Sequence, residues 1–219
     1  MKTVIQEIIK TGQKLYHQKF IVAGQGNISC RVGKNHILAT RSGVCKGELT
    51  EGDIVELDMQ GKVRSSQNKP SSEIKLHLAV YRERADVQAV IHAHPPFGVS
   101  LTLAGIRLDQ PLLPESVLLL GSVPTAPYAR PSTDQVPNSI KSLIKETDTL
   151  LLARHGSVTV GKNLNEAFQK LEILENTARI IWLSRQVGSP KPLPAREVRE
   201  ILKLREKVYG IDFPIISFE

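Results

Sequence analysis

The sequence predicts a single mixed α/β domain over residues 1–219, with a central, largely antiparallel sheet flanked by helices. Three observations predict it. Short β-prone runs crowd the first two-thirds of the chain, and the first two are joined by a turn short enough for a hairpin. Helical periodicity breaks in between them irregularly, without the regular strand–helix–strand alternation of a parallel winding. No internal repeat or low-complexity tract divides the 219 residues, a length ample to bury one core.

The elements follow in order. Residues 3–18 carry Val4, Ile5, Ile8, Ile9 and Leu15 on one side at helical spacing. "NISCRV" and "HILAT" are strands broken at "GKN", a hairpin signature, and "DIVELDMQGKV" is a further strand and turn. In "PSSEIKLHLAVYRER" the pattern turns helical, with Pro70 before it and Ser71 or Ser72 as N-cap. "VQAVIHAH" is a strand, "GSVPTAPYARPSTDQ" a strand and loop, and "PSTDQVPNSIKSLIKE" opens another helix. "TLLLARHGSVTVG" holds two apolar runs around His155-Gly156, a strand pair or a bulged strand. The longest helix, "NLNEAFQKLEILENTARIIWLSRQ", buries Ala167, Leu171, Leu174, Ala178 and Ile181. A linker, "GSPKPLP", precedes the terminal helix "AREVREILKLREKVYG" and a short apolar tail.

Composition excludes several classes of function. The net charge of +7 raises nucleic acid as a partner, but the cations alternate with acids and aromatics make up only 5% of the chain. A solvated surface or attraction to small anions fits better, and no nucleic-acid partner is expected. No run of eighteen apolar residues suggests a membrane span. The N-terminus lacks the pattern of a signal peptide. Cys30 and Cys45 form no CxxC pair, so a reducing, cytoplasmic setting is expected.

The chemistry sits in "VIHAHPP", where His92 and His94 are one residue apart. Strand side chains alternate, so both imidazoles face one way and can grip one ion. Taken alone, such a pair is equally a hydrogen-bonded couple at a strand end. A third imidazole is needed. His17, His36 and His77 have ordinary settings, whereas His155 ends an apolar run and precedes Gly156, where the backbone can turn tightly; taken alone it still reads as a satisfied core histidine. Three imidazoles with one open position make a catalytic zinc site, while tolerating cobalt or manganese. Glu73, in the first turn of a helix behind Ser71 and Ser72, is a carboxylate that could serve as base, or simply part of a capping pair. "GQGN" and "TRSG" are glycine loops that could approach an anion, though neither is a P-loop.

Together "GQGNIS", "TRSG", "KPSSE", "VIHAHPP", "VPTAPYA" and "RHGSVTVGKNLNEAF" resemble, in order and spacing, the class II aldolase/adducin family, and within it the fuculose-1-phosphate aldolase branch. The resemblance runs from the first helix to "KVYG". It implies one zinc per subunit, held by His92, His94 and His155, with Glu73 as resting ligand and proton shuttle. It implies a phosphate site at Gly26, Asn27, Ser42, Gly43, Ser71 and Ser72, for a small phosphorylated sugar. It implies cleavage of a ketose 1-phosphate to dihydroxyacetone phosphate and an aldehyde. It also implies a homotetramer with active sites between subunits.

One position departs from the pattern. The branch uses a neighbouring subunit's tyrosine to protonate the aldehyde oxygen, and here Glu115 stands in its place. Glutamate also stands there in the family's methylthioribulose-1-phosphate dehydratases, which makes dehydration the second reading. Tyr209 matches a second tyrosine, and Pro131 replaces an aromatic of the aldehyde pocket. A pentulose-phosphate 4-epimerase comes third. A non-catalytic, adducin-like interaction module would have no need of three histidines and Glu73.

Overall fold

Strand β1 (Asn27–Val32) and strand β2 (His36–Thr40) form the expected hairpin, and β2 pairs with β3 (Ile54–Asp58). The computed structural model describes residues 1–64, 68–210 and 218. Among these, β4 (Ala89–Ala93), β5 (Thr125–Ala126), β6 (Thr149–Leu152) and β7 (Gly156–Gly161) complete a seven-stranded sheet of order β3-β2-β1-β4-β7-β6-β5. Every pairing is antiparallel except that of the two-residue β5 with β6. The single, mixed α/β, largely antiparallel architecture is therefore the one the sequence predicts.

Both faces of the sheet are covered, and strand alternation sorts residues between them. In β4, Ala89, Ile91 and Ala93 join a core with Ile8 and Leu15 of helix α1 (Lys2–His17) and Leu164 and Leu171 of helix α6 (Leu164–Val187). Val90 faces the other way, into a core with Leu76 and Val80 of helix α2 (Ile74–Glu83) and Val136 and Ile140 of helix α5 (Gln135–Ile140). His92 has the parity of Val90, so it points to the side of α2. The expected stripe on α6 is buried at all five positions, each large aliphatic side chain contributing roughly 1.5–3 kcal/mol.

Two expectations shift, and one alternative is resolved. Helix α2 starts at Ile74 with Glu73 as its N-cap, after Ser71 and Ser72; Ser71 Oγ accepts the Glu73 N–H at 3.3 Å from two residues earlier. The run around His155 is a true strand pair, with Leu152 opposite Gly156. Helices α3 (Pro96–Leu103) and α4 (Pro114–Leu119) were not expected. Both begin on a proline, which fits a first helical position, where no N–H partner is needed. The terminal helix, α7 (Ala195–Tyr209), lies where expected.

Candidate metal centre and anion pocket

His92 lies on β4, where its register partners are Asn27 of β1 and Val158 of β7. It is fully buried, and its Nδ1 donates to the Ser157 carbonyl at 2.9 Å. That bond leaves the Nε2 lone pair facing the site. His94 follows one residue past the strand, before Pro95-Pro96 turns the chain into α3. The buried Glu175 of α6 fixes that turn by accepting the Phe97 and Gly98 N–H groups, each at 2.8 Å. His155 sits in the tight β6–β7 turn, where Arg154 adopts left-handed backbone with φ 61°. Gly156 itself does not have positive φ. It is glycine because β7 passes so close to β4 that a Cβ would lie 2.3 Å from the Ala93 carbonyl oxygen and 3.0 Å from His92 Cε1.

The three rings form a propeller, with centroids 4.8, 4.9 and 5.1 Å apart and planes inclined by 62–63°. Glu73 completes it from the start of α2. Its Oε2 is 3.2 Å from His92 Nε2, and its Oε1 is 3.2 Å from His155 Nε2. His94 Nε2 is 3.0 Å from His92 Nε2. One ligand atom from each of the four residues lies within 4.8 Å of all the others.

These residues fit a divalent ion. A tetrahedral zinc with bonds of about 2.0–2.1 Å has ligand–ligand edges of about 3.4 Å, close to the spacings seen. Glu73 Oε1 is buried without a hydrogen-bond partner. The bare Nε2 of His92 faces another ring nitrogen rather than a donor fixed elsewhere. Burial, with His92 and His155 alongside, pushes His94 down to about 3, keeping it neutral as a ligand must be.

Beside this cluster opens a cavity of about 360 Å³. Gly26, Asn27, Ser42, Gly43, Ser71 and Ser72 all line it, together with Glu73, His94 and His155. Gly26 has φ 68° and a Cβ there would strike Ile21 at 2.6 Å; Gly43 has φ 73° with open space where a side chain would be. A larger cavity, about 550 Å³, lies at the other end of the sheet beside Val87 and Gly161. It holds no histidine, and its Arg84 and Lys170 are engaged in ion pairs with Asp86, Asp148 and Glu166.

Glu115 is not brought to the site within this chain. It is exposed in the first turn of α4 and lies outside the cavity wall. Tyr209 ends α7, and its side chain lies outside the described residues. Pro131 does line the cavity.

Sequence reasoning missed three residues. Lys46 lines the cavity while only 1% exposed; its ammonium donates to the Gly24 and Val44 carbonyls at 2.8 and 2.9 Å. Burial lowers its pKa to about 8. Ser132 lines the cavity too, donating to Ser72 Oγ at 3.0 Å. His77 is no ordinary core residue, because it bonds Asn27. A lysine directly after "TRSGVC" and the spacing Glu73, His77, Tyr81 were the available signals.

Residues 6–182 match the family model described as class II aldolase and adducin N-terminal domain. The chain is 32% identical to a 3-oxo-tetronate 4-phosphate decarboxylase of Pectobacterium atrosepticum, over 81% of this chain and 83% of that one. It is 33% identical to an L-fuculose phosphate aldolase of Methanocaldococcus jannaschii, over 82% of this chain and 96% of that one. A solved structure of an L-fuculose 1-phosphate aldolase superposes with a TM-score of 0.86 at 31% identity, covering 93% of this chain and 96% of the other.

Proposed function

Because the chain belongs to the class II aldolase and adducin family, we propose that it is a zinc-dependent lyase. Its reaction is cleavage of a ketose 1-phosphate between C3 and C4, giving dihydroxyacetone phosphate and an aldehyde. One observation carries this reading: the three-imidazole, one-carboxylate cluster adjoins a cavity that has Glu73, His94 and His155 in its wall and glycine and serine loops around much of the rest. His92, His94 and His155 would hold the ion, with Glu73 as the fourth group. Bound there, a divalent ion supplies Lewis-acid stabilisation to negative charge on the substrate's ketone and neighbouring hydroxyl oxygens.

The other roles belong to the chain's own side chains and backbone. The Gly26, Ser42–Gly43 and Ser71–Ser72 segments bind and orient the phosphate, with Lys46 adding positive charge beneath them. Glu73 holds the proton that moves to and from the carbon beside the ketone. As the C3–C4 bond breaks, its electron pair stays on C3, Glu73 protonates C3, and the C4 hydroxyl loses its proton. In a homotetramer with active sites between subunits, Glu115 and Tyr209 of an adjacent copy would manage that hydroxyl proton. Among the described residues no helix is long and apolar enough to cross a membrane. Cys30 and Cys45 are free thiols, which suits a cytoplasmic enzyme.

A second reading is decarboxylation of 3-oxo-tetronate 4-phosphate, favoured by the similarity to the Pectobacterium enzyme. Loss of carbon dioxide beside the same ketone leaves the same three-carbon phosphate, and the departing group needs no acid. Both readings use one metal-and-phosphate half-site and differ in what leaves. The test is to offer dihydroxyacetone phosphate with a panel of aldehydes, and separately the oxo acid, before and after chelation. Chelation-sensitive carbon–carbon bond formation supports the aldolase. Carbon dioxide release without condensation supports the decarboxylase. Neither reaction, in protein carrying bound zinc, refutes both.

A further inference from the structure

Behind the cavity runs a chain of buried hydrogen bonds whose inner members, His77, Ser29 and Tyr81, the proposed chemistry does not use. Glu73, His77 and Tyr81 are spaced by four along α2 and its cap, and Asn27 and Ser29 by two along β1. Four helical residues rise about 6.0 Å and two strand residues about 6.6 Å, so the two rows mesh. Tyr81 Oη lies 2.8 Å from Ser29 Oγ, and Ser29 Oγ lies 2.6 Å from His77 Nδ1. His77 Nε2 bonds Asn27 Oδ1 in a very short contact. Asn27 Nδ2 lies 3.3 Å from Glu73 Oε2.

The direction of every bond follows from the carboxylate. Ionised Glu73 can only accept, so Asn27 must present its nitrogen to Glu73 and its oxygen to His77. His77 Nε2 must then carry the proton, and Nδ1 must accept from the Ser29 hydroxyl. Ser29 Oγ, having donated, accepts from Tyr81. His77 is 1% exposed and Ser29 fully buried, so no water can substitute for a missing partner.

We propose that His77 is a positioning residue: fixed as the Nε2–H tautomer by Ser29 and Tyr81, it holds the Asn27 carboxamide with its nitrogen toward Glu73 and the anion cavity. Without that donor the amide can rotate and turn its oxygen toward a carboxylate and a phosphate, where it repels both. Burial, then the nearby His92, holds the His77 pKa down to about 3, so the neutral ring persists across the working range. The anion part of this inference rests on the proposed function; the tautomer part does not.

The test uses the full-length protein and two variants, His77→Phe and the milder Ser29→Ala, with His77→Gln as the conservative replacement that restores a donor. Nitrogen-15 spectra of the histidines in wild-type protein are expected to show His77 protonated on Nε2 alone between about pH 5 and pH 9, and Ser29→Ala to admit the Nδ1–H form. Calorimetric titration with inorganic phosphate is expected to show about tenfold weaker binding in His77→Phe, the size of one lost buried hydrogen bond. His77→Gln should recover most of that affinity. Zinc affinity, by chelator competition, should move less than threefold, and any loss in turnover should appear as raised KM. A proton on His77 Nδ1 in the wild type overturns the proposal, as does unchanged phosphate affinity in both Ser29→Ala and His77→Phe. If His77→Phe does not fold, Ser29→Ala and the tautomer decide alone. Wild-type protein that binds no phosphate would refute the proposed function, and the tautomer would still decide the relay.

Discussion

Replacing Gly156 with alanine tests how closely the metal cluster depends on the contact between β4 and β7. The new methyl would lie 2.3 Å from the Ala93 carbonyl oxygen, 2.9 Å from His94 Cδ2 and 3.0 Å from His92 Cε1. Ordinary contact needs about 3.5 Å, so the strands must part by about 1 Å or the two rings must swing aside. The carbonyl cannot yield alone, because Ala93 sits opposite Ser157 in the ladder. Overpacking of this kind costs about 1–3 kcal/mol, equivalent to roughly 2–12 °C in Tm for a chain of this size. Because the displaced groups orient two ligands, zinc affinity should fall by about 10–100-fold. Thermal unfolding of metal-free protein reads the first effect, and zinc titration against a competing chelator reads the second. A variant with wild-type Tm and wild-type zinc affinity would refute the reasoning that Gly156 is required by close approach.

Glu175→Ala removes the acceptor of two N–H groups at the start of α3; stability should drop by about 1–3 kcal/mol, with weaker zinc binding because His94 precedes that turn, both measurable by denaturant and chelator titration. Lys46 has its pKa lowered from 10.5 to about 8 by burial. Between these values the unfolded chain keeps a proton that the folded chain has released, so this group's contribution to stability rises with pH across that window, by on the order of 3 kcal/mol. Lys46→Met should lack that rise in denaturant titrations. In wild-type protein, phosphate affinity should decline above about pH 8 as the ammonium discharges, a decline the variant should not show.

The motifs were legible because chemistry fixes their spacing: one histidine on a strand and one just past its end, a third in the turn after a neighbouring strand, glycines where the chain turns back. The strand hairpins and the stripe on α6 follow from periods of two and 3.6 in the apolar residues. Helices α3 and α4 were not legible. "PFGVSLTL" is nearly all apolar, so it has no polar face to reveal a period, and "PESVLL" is only six residues long. Lys46 and His77 were missed for another reason. A buried lysine and a neutral buried histidine look like surface and core residues until the carbonyls and amide that satisfy them are known. The need for Gly156 comes from Ala93, far away in sequence and adjacent in space, which no local pattern reveals.

The claim shared by both proposed reactions is that the cavity binds a three-carbon phosphate beside a metal and that Glu73 moves a proton at its hydroxymethyl carbon. Proton NMR of dihydroxyacetone phosphate in deuterium oxide, with zinc-loaded protein and no aldehyde, tests this without choosing the leaving group. The account predicts uptake of one deuterium at that carbon, abolished by chelation and by Glu73→Gln. Bound zinc and bound dihydroxyacetone phosphate with no deuterium uptake would contradict it.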